Sequence, residues 1–263
     1  MIRLFDSHSH LNADAFDSDR DAVVERMKAA GMAGALVVAC NDEDLERVKA
    51  LVARYPGFLF GAWAVHPEYP DHREPDVEEI ARTASLPGFV AVGETGLDYY
   101  WCKEPLDWQR ERFARHVAAA KLADKPLVIH ARDAEGDALR LLERAGAPAR
   151  GFVMHCFCGS LDDAMRAVEM GGFVSFTGNL TFKRNEALRD IVRAIPLQNL
   201  LVETDCPYMA PVPHRGKRCE PVHVREICQT MADVKGLTLE ATAGALLRNT
   251  ERFFGLNLES TRP

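Results

Sequence analysis

Phe5-Asp6-Ser7-His8-Ser9-His10-Leu11 carries the first β-rich run of the chain into a pair of histidines. On an extended strand, residues i and i+2 project to the same side, so His8 and His10 can grip one ion between their imidazoles. Taken alone, His-x-His fits two surface histidines at a strand end as well as it fits a metal site. The ends of the other apolar runs separate these readings. His66 follows the third run, Glu94 the fourth, His130 the fifth, His155 the sixth and Asp205 the eighth.

Eight short apolar runs stand at residues 2–5, 35–40, 58–65, 89–92, 127–129, 152–154, 173–176 and 200–202. Between them lie stretches with apolar positions three and four apart, at 19–30, 42–54, 77–84, 107–122, 135–145, 161–170, 185–194 and 222–234, and a last one at 239–254. This alternation is the mark of βαβ units. Eight such units either close as a (β/α)8 TIM barrel or lie as an open doubly wound sheet. No Gly-x-Gly-x-x-Gly follows the first run, which counts against a dinucleotide-binding sheet. In a barrel all the strand ends meet at one mouth, so the polar residues that follow the runs decide for the α/β barrel. The 263 residues match the roughly 250 of a typical barrel, and one domain, 1–263, is expected. Neither an internal repeat nor a low-complexity tract interrupts it. The Pro-rich segment 207–221 reads as a long functional loop.

Composition excludes several classes. With 47% hydrophobic and 27% charged residues the chain is neither disordered nor fibrous. No apolar stretch is long enough to span a bilayer, and MIRLFDSHSH is no basic-then-greasy leader, so a cytoplasmic protein without membrane attachment is expected. Seven scattered cysteines are not the framework of a small secreted fold. A net charge of −7 argues against a broad phosphate-tracking surface and leaves room for a local basic rim. No segment reads as a dimerisation helix, so a monomer without an obligate protein partner is the default.

Glu94 sits between glycines in Val-Gly-Glu-Thr-Gly-Leu-Asp, where the backbone can crowd close and a carboxylate can bridge two cations. The plain alternative is a glutamate paired with an arginine. Asp205, in Val-Glu-Thr-Asp-Cys-Pro, can bind metal, hold the attacking water, or simply cap a turn before Pro207. Arg132 and the cluster His214, Arg215, Lys217 and Arg218 are the candidate phosphate grips. Tyr208 and Tyr99 are placed either to stack on a base or to pack the rim. Cys156 and Cys158 read as small packing residues, and His72, His116 and His223 as surface or packing histidines. Trp63, Trp101 and Trp108 read as core or rim packing.

FDSHSHL (5–11), GETGLDYY (93–100), KPLVIHARDA (125–134), MHCF (154–157) and LLVETDCPYMAPVPHRGK (200–217) together resemble the TatD family of metal-dependent deoxyribonucleases, and its YcfH-like branch in particular. The resemblance implies a two-cation site on His8, His10, Glu94, His130, His155 and Asp205. His8, His10 and Asp205 would hold the first ion, His130 and His155 the second, with Glu94 between them and Asp205 taking the proton of the attacking water. The implied catalytic residues are thus Asp205 and Glu94. The family is described as magnesium-dependent, whereas four imidazoles suit zinc or manganese better. His66 matches a family position outside the six and is expected either to touch substrate phosphate or to make a structural hydrogen bond. Arg218-Cys219-Glu220 departs from the family pattern before Pro221. The implied activity is 3′–5′ exonuclease cleavage of phosphodiesters at single-stranded DNA ends. The rival readings are a carbonyl ester or amide hydrolase, such as a D-aminoacyl-tRNA deacylase, and a metal-binding scaffold without turnover.

Overall fold

The computed structural model describes residues 2–103 and 106–258. Its eight strands are Phe5–Ser9 (β1), Gly34–Ala39 (β2), Leu59–Trp63 (β3), Phe89–Asp98 (β4), Leu127–Arg132 (β5), Phe152–Met154 (β6), Phe173–Phe176 (β7) and Leu200–Val202 (β8). They pair in parallel in chain order. The helices are Arg20–Ala29 (α1), Asp42–Arg54 (α2), Val77–Ala84 (α3), Asp107–Leu122 (α4), Glu135–Ala145 (α5), Leu161–Glu169 (α6), Glu186–Ala194 (α7), Val224–Lys235 (α8) and Leu239–Phe254 (α9). The chain beyond β8 joins the sheet ends: Asp205 N–H donates to the His8 carbonyl at 3.0 Å and His10 N–H to the Cys206 carbonyl at 2.8 Å. Ser7 Oγ adds a bond to the Val202 carbonyl at 3.0 Å. The expected (β/α)8 barrel is therefore what the chain forms. Among the described residues no helix is long and apolar enough to cross a membrane.

Two apolar clusters follow from the period-2 alternation of the strands. Leu127, Ile129, Met154, Val174, Leu200 and Val202 face the helices. Leu36, Val38, Phe60, Ala62, Val128, Val153, Phe173 and Leu201 face inward, where Phe253 and Phe254 of the last helix join them. Following each inward face upward explains the site. Val128 leads to His130, Val153 to His155, and Leu201 to Glu203 and Asp205, each step being two residues. The barrel is thus plugged by hydrocarbon below and lined by titratable groups above.

The ladders run further than the apolar runs suggested. β1 includes His8, β4 includes Glu94 and β5 includes His130, so these groups lie within strands instead of after them. Close approach of β4 to β5 requires glycine on either side of Glu94-Thr95. A Cβ on Gly93 (φ +148°) would lie 2.7 Å from the Val128 carbonyl oxygen, and one on Gly96 (φ +151°) would overlap the His130 carbonyl.

Candidate metal centre

The structure brings His8, His10, Glu94, His130, His155 and Asp205 together at the barrel mouth, and places His66 with them. Glu94 is the hub. Its Oε2 lies 3.2 Å from His8 Nε2 and 3.7 Å from His10 Nε2. Its Oε1 lies 2.9 Å from His130 Nδ1, 3.3 Å from His66 Nε2 and 3.5 Å from His155 Nε2. Asp205 Oδ1 closes the opposite side, 3.3 Å from His10 Nε2 and 3.8 Å from His155 Nε2. Asp205 turns its backbone into the left-handed region (φ +58°), which aspartate tolerates better than most residues.

The donor atoms fit divalent ions. Around one cation with bonds of about 2.0–2.2 Å, neighbouring ligand atoms sit about 3.0–3.6 Å apart. His8 Nε2 and His10 Nε2 are 3.4 Å apart, and with Glu94 Oε2 they form a triangle of nearly that size. Among the described residues four groupings have donor atoms close enough to share an ion: His8, His10 and Glu94; His8, His155 and Asp205; His66, Glu94 and His130; and, at the edge of the site, Glu68, Asp98 and His130. His155 is stacked on His8 with ring centroids 3.5 Å apart.

Two further carboxylates support the histidines. Glu203 Oε1 lies 2.8 Å from His155 Nδ1, off the line of a straight hydrogen bond, and accepts from Ser175 Oγ at 2.6 Å and the Cys156 N–H at 2.7 Å. Asp98 Oδ2 lies 2.9 Å from His130 Nε2, and its Oδ1 accepts the Trp101 N–H at 2.6 Å. A carboxylate behind a ligating imidazole fixes its orientation and raises its basicity. Sequence reasoning passed over both, although Glu203 precedes Asp205 by the same two-residue step that joins His8 and His10. His8 lacks such support, since its Nδ1 is buried with no hydrogen-bond partner.

Electrostatics follow from this crowding. Burial would push the Glu94 carboxyl up, but the imidazoles of His66, His155 and His8 outweigh it and hold it well below the usual range. Burial likewise raises Asp205, and the His10 hydrogen bond with the His155 charge overcomes that and holds it low. Burial disfavours charge on His155, yet Glu203 and Glu94 push it up to about 9. His10 and His130 reach about 9 in the same way, against their burial, through Asp205 and through Asp98 with Glu94. Burial, reinforced by a neighbouring imidazole, lowers His8 and His66. Cys40 Sγ lies 3.8 Å from Glu94 Oε2, and burial beside that carboxylate pushes its thiol well up, so it stays neutral.

The remaining predicted residues scatter. Arg132 lies with its guanidinium 4.0 Å from the Tyr100 ring centroid, and Tyr208 is exposed with its ring centroid 6.4 Å from that of His10 and steeply inclined to it. His214 is stacked on His223 and lies 3.6 Å from Glu226. Arg215 covers the Phe182 ring, and Lys217 is exposed. Arg218 is paired with carboxylates, tying the loop to Asp19 at 2.7 Å and to Glu220 at 3.0 Å. Trp101 is exposed instead of packed, and so is Cys158.

A model of the family described as "TatD related DNase" matches residues 5–255. The chain belongs to that family. This TatD-family chain is 39% identical over 255 residues to the "Uncharacterized metal-dependent hydrolase YabD" of Bacillus subtilis, covering 97% of this chain and 100% of that one. It is 32% identical over 263 residues to the "3'-5' ssDNA/RNA exonuclease TatD" of Citrobacter rodentium, covering 98% and 100%. Among solved structures it is similar to YJJV, a TatD homologue from Escherichia coli, with a TM-score of 0.91 at 30% identity over 97% of this chain and 99% of the other.

Proposed function

We propose that this metal-dependent hydrolase of the TatD family is a 3′–5′ exonuclease that cuts phosphodiesters at the ends of single-stranded DNA. The observation that carries the reading is Glu94, whose two oxygens face two separate sets of imidazoles and are thereby placed to bridge two cations. His8, His10 and Asp205 would hold one ion, and His130 and His155 the other. When bound, two divalent cations supply a water acidic enough to attack at neutral pH and offset the charge growing on the phosphate.

The chain's own residues supply the rest. Asp205 is the most open carboxylate of the cluster, and its depressed pKa keeps it ionised, so its carboxylate can orient the attacking water and take its proton. Glu203 and Asp98 hold the His155 and His130 rings in place. Arg132, carrying its guanidinium to the rim, meets the substrate phosphates, and the exposed Arg215 and Lys217 extend that basic edge beyond Tyr208. His66, seated among the ligands, meets either a cation or the scissile phosphate. One relative, at 32% identity, is named for single-stranded DNA and RNA, which supports a polynucleotide end as substrate; the reading takes the enzyme as a monomer in the cytoplasm.

The test is a time course on 5′-labelled single-stranded DNA with chelator-stripped protein, restored with magnesium, manganese or zinc, beside His155→Ala. A ladder shortening from the 3′ end, dependent on metal and absent in the variant, is expected. Stoichiometric metal uptake without cleavage by any ion would refute the nuclease reading and direct the assay to carbonyl esters such as aminoacyl-tRNA.

A further inference from the structure

Among the described residues, the exposed aromatic side chains are Tyr69, Tyr100, Trp101 and Tyr208. All four lie on loops that follow strands, between β3 and α3, β4 and α4, or β8 and α8, and so at the mouth of the barrel. Tyr100 and Trp101 are the most organised of them. Their rings meet edge to face with centroids 4.7 Å apart, and they remain 45% and 59% exposed. Neither side chain makes a hydrogen bond among the described residues. Tyr99, one residue earlier, is half-buried with its hydroxyl on Asp137 at 2.8 Å and Arg110 at 3.2 Å, the arrangement expected of a packing tyrosine.

A guanidinium completes the pair. Arg132 lies 4.0 Å from the Tyr100 centroid and 5.4 Å from that of Trp101, on the same face of β5 as His130 two residues before it. Among the described residues no carboxylate pairs with it, although acidic residues outnumber basic ones in the chain by 39 to 32. A cation stacked on aromatic faces keeps its in-plane N–H donors directed outward for an anion. The platform is also tied to the metal centre: Asp98 accepts the Trp101 N–H through Oδ1 and meets His130 Nε2 through Oδ2.

We infer that Tyr100, Trp101 and Arg132 form a stacking subsite for an unpaired nucleobase of the strand being cut, the rings taking the base and Arg132 its flanking phosphate. The inference rests on the nuclease reading and deepens it by naming the residues that take a base of the single strand. Aromatic stacking is tolerant of base identity because every base has a π-face. A base inside a duplex offers no free face, so the subsite takes bases of an unpaired strand.

The test compares, on the metal-loaded enzyme, an oligothymidylate with the same strand made abasic near its 3′ end, by steady-state cleavage and by fluorescence anisotropy of labelled strands. For the wild type the intact strand is expected to have a KM and Kd roughly ten- to a hundredfold below the abasic one, the range of one lost stacking contact. Trp101→Ala and Tyr100→Ala raise the values for the intact strand toward those of the abasic strand, and Trp101→Phe restores most of the difference. Leu122→Ala, at the far end of α4, serves as the unaffected control. Cleavage by the wild type with intact and abasic strands handled alike, or with no KM change in either alanine variant, overturns the subsite and leaves the nuclease reading standing. Base-dependent binding lost in Trp101→Ala, without cleavage under any ion, supports the subsite and overturns the nuclease reading. Absence of both binding and cleavage overturns both.

Discussion

His116 lies on α4, fully buried, and its protonation decides part of the acid stability of the barrel. Its Nε2 accepts the Val65 N–H at 3.2 Å, and Nδ1 lies 2.8 Å from the Arg112 carbonyl. The neutral ring with its proton on Nδ1 satisfies both contacts. A second proton would set one N–H against another in an apolar site. Burial, with the Arg112 charge beside it, therefore lowers the pKa to about 4. The unfolded chain titrates near the ordinary 6.5. A lowered histidine pKa means that folding favours the neutral form, so the contribution is complete above 6.5 and is lost as pH falls through the window down to 4. The full difference amounts to about 3 kcal/mol. The measurement is urea unfolding of chelator-stripped wild type and His116→Gln, whose amide can make both hydrogen bonds without titrating. The stability of wild type relative to the variant should fall by about 2 kcal/mol between about pH 7.5 and pH 5. The cluster at the mouth titrates in both proteins and cancels. Parallel pH curves would refute the reasoning. A loss confined to alkaline pH would refute it equally, because the sign would then be reversed.

Three other outcomes follow from the contacts at the mouth. Glu203→Gln removes the charge behind His155 and should weaken metal affinity by about ten- to a hundredfold, read by calorimetric titration of stripped protein; unchanged affinity would show that His155 needs no support. Arg112→Met removes a guanidinium that holds the His66 and Tyr69 carbonyls at 3.0 and 2.9 Å and pairs with Glu74. Because Glu74 is about one-third exposed, most of the expected loss of about 2–4 kcal/mol comes from the two stranded carbonyls, and a denaturation midpoint unmoved from wild type would contradict it. Chelation should leave the fold intact, since the plug below the site is hydrocarbon, yet lower Tm: an ion present at a hundred times its Kd adds about 3 kcal/mol, or about 5–10 °C for a chain of this size. Unfolding on chelation, seen by far-ultraviolet circular dichroism, would make the ions structural instead.

The strands were legible because their inner residues are apolar, and misjudged where they cease to be. The run 127–129 stops at Ile129 while β5 continues to Arg132, and 89–92 stops at Val92 while β4 continues to Asp98. Apolarity reports contact with the plug or the helices, whereas the hydrogen-bonded ladder persists into the polar mouth. The opposite error occurs at 58–65, where Ala64 and Val65 are buried but lie beyond the β3 ladder. On α4, Arg112 is of a residue type that mostly faces solvent, and His116 of one that is buried only part of the time. Nothing local marks them as buried, because their partners, Glu74 and the Val65 N–H, come from the preceding βα unit.

The site was legible to the extent that its residues keep a two-residue register with something recognisable. His8 and His10 mark themselves; Asp205 and His130 stand at ends of apolar runs. Glu203 keeps the same register but is hidden by its neighbour, since one carboxylate in Val-Glu-Thr-Asp is enough to suggest a ligand and the second then reads as redundant. The structure makes their division physical. Glu203 is fully buried, meeting His155, Ser175 and a backbone amide, and has no free edge for substrate. Asp205, two residues higher on the same face, is partly open. Depth in the barrel therefore separates them: the lower carboxylate lies against the His155 ring, and the upper one keeps an open edge. Side-chain direction makes the same division between Asp98 and Arg132, which are partners at one level of the β4–β5 ladder: Asp98 is buried against His130, and Arg132 is exposed beside Tyr100.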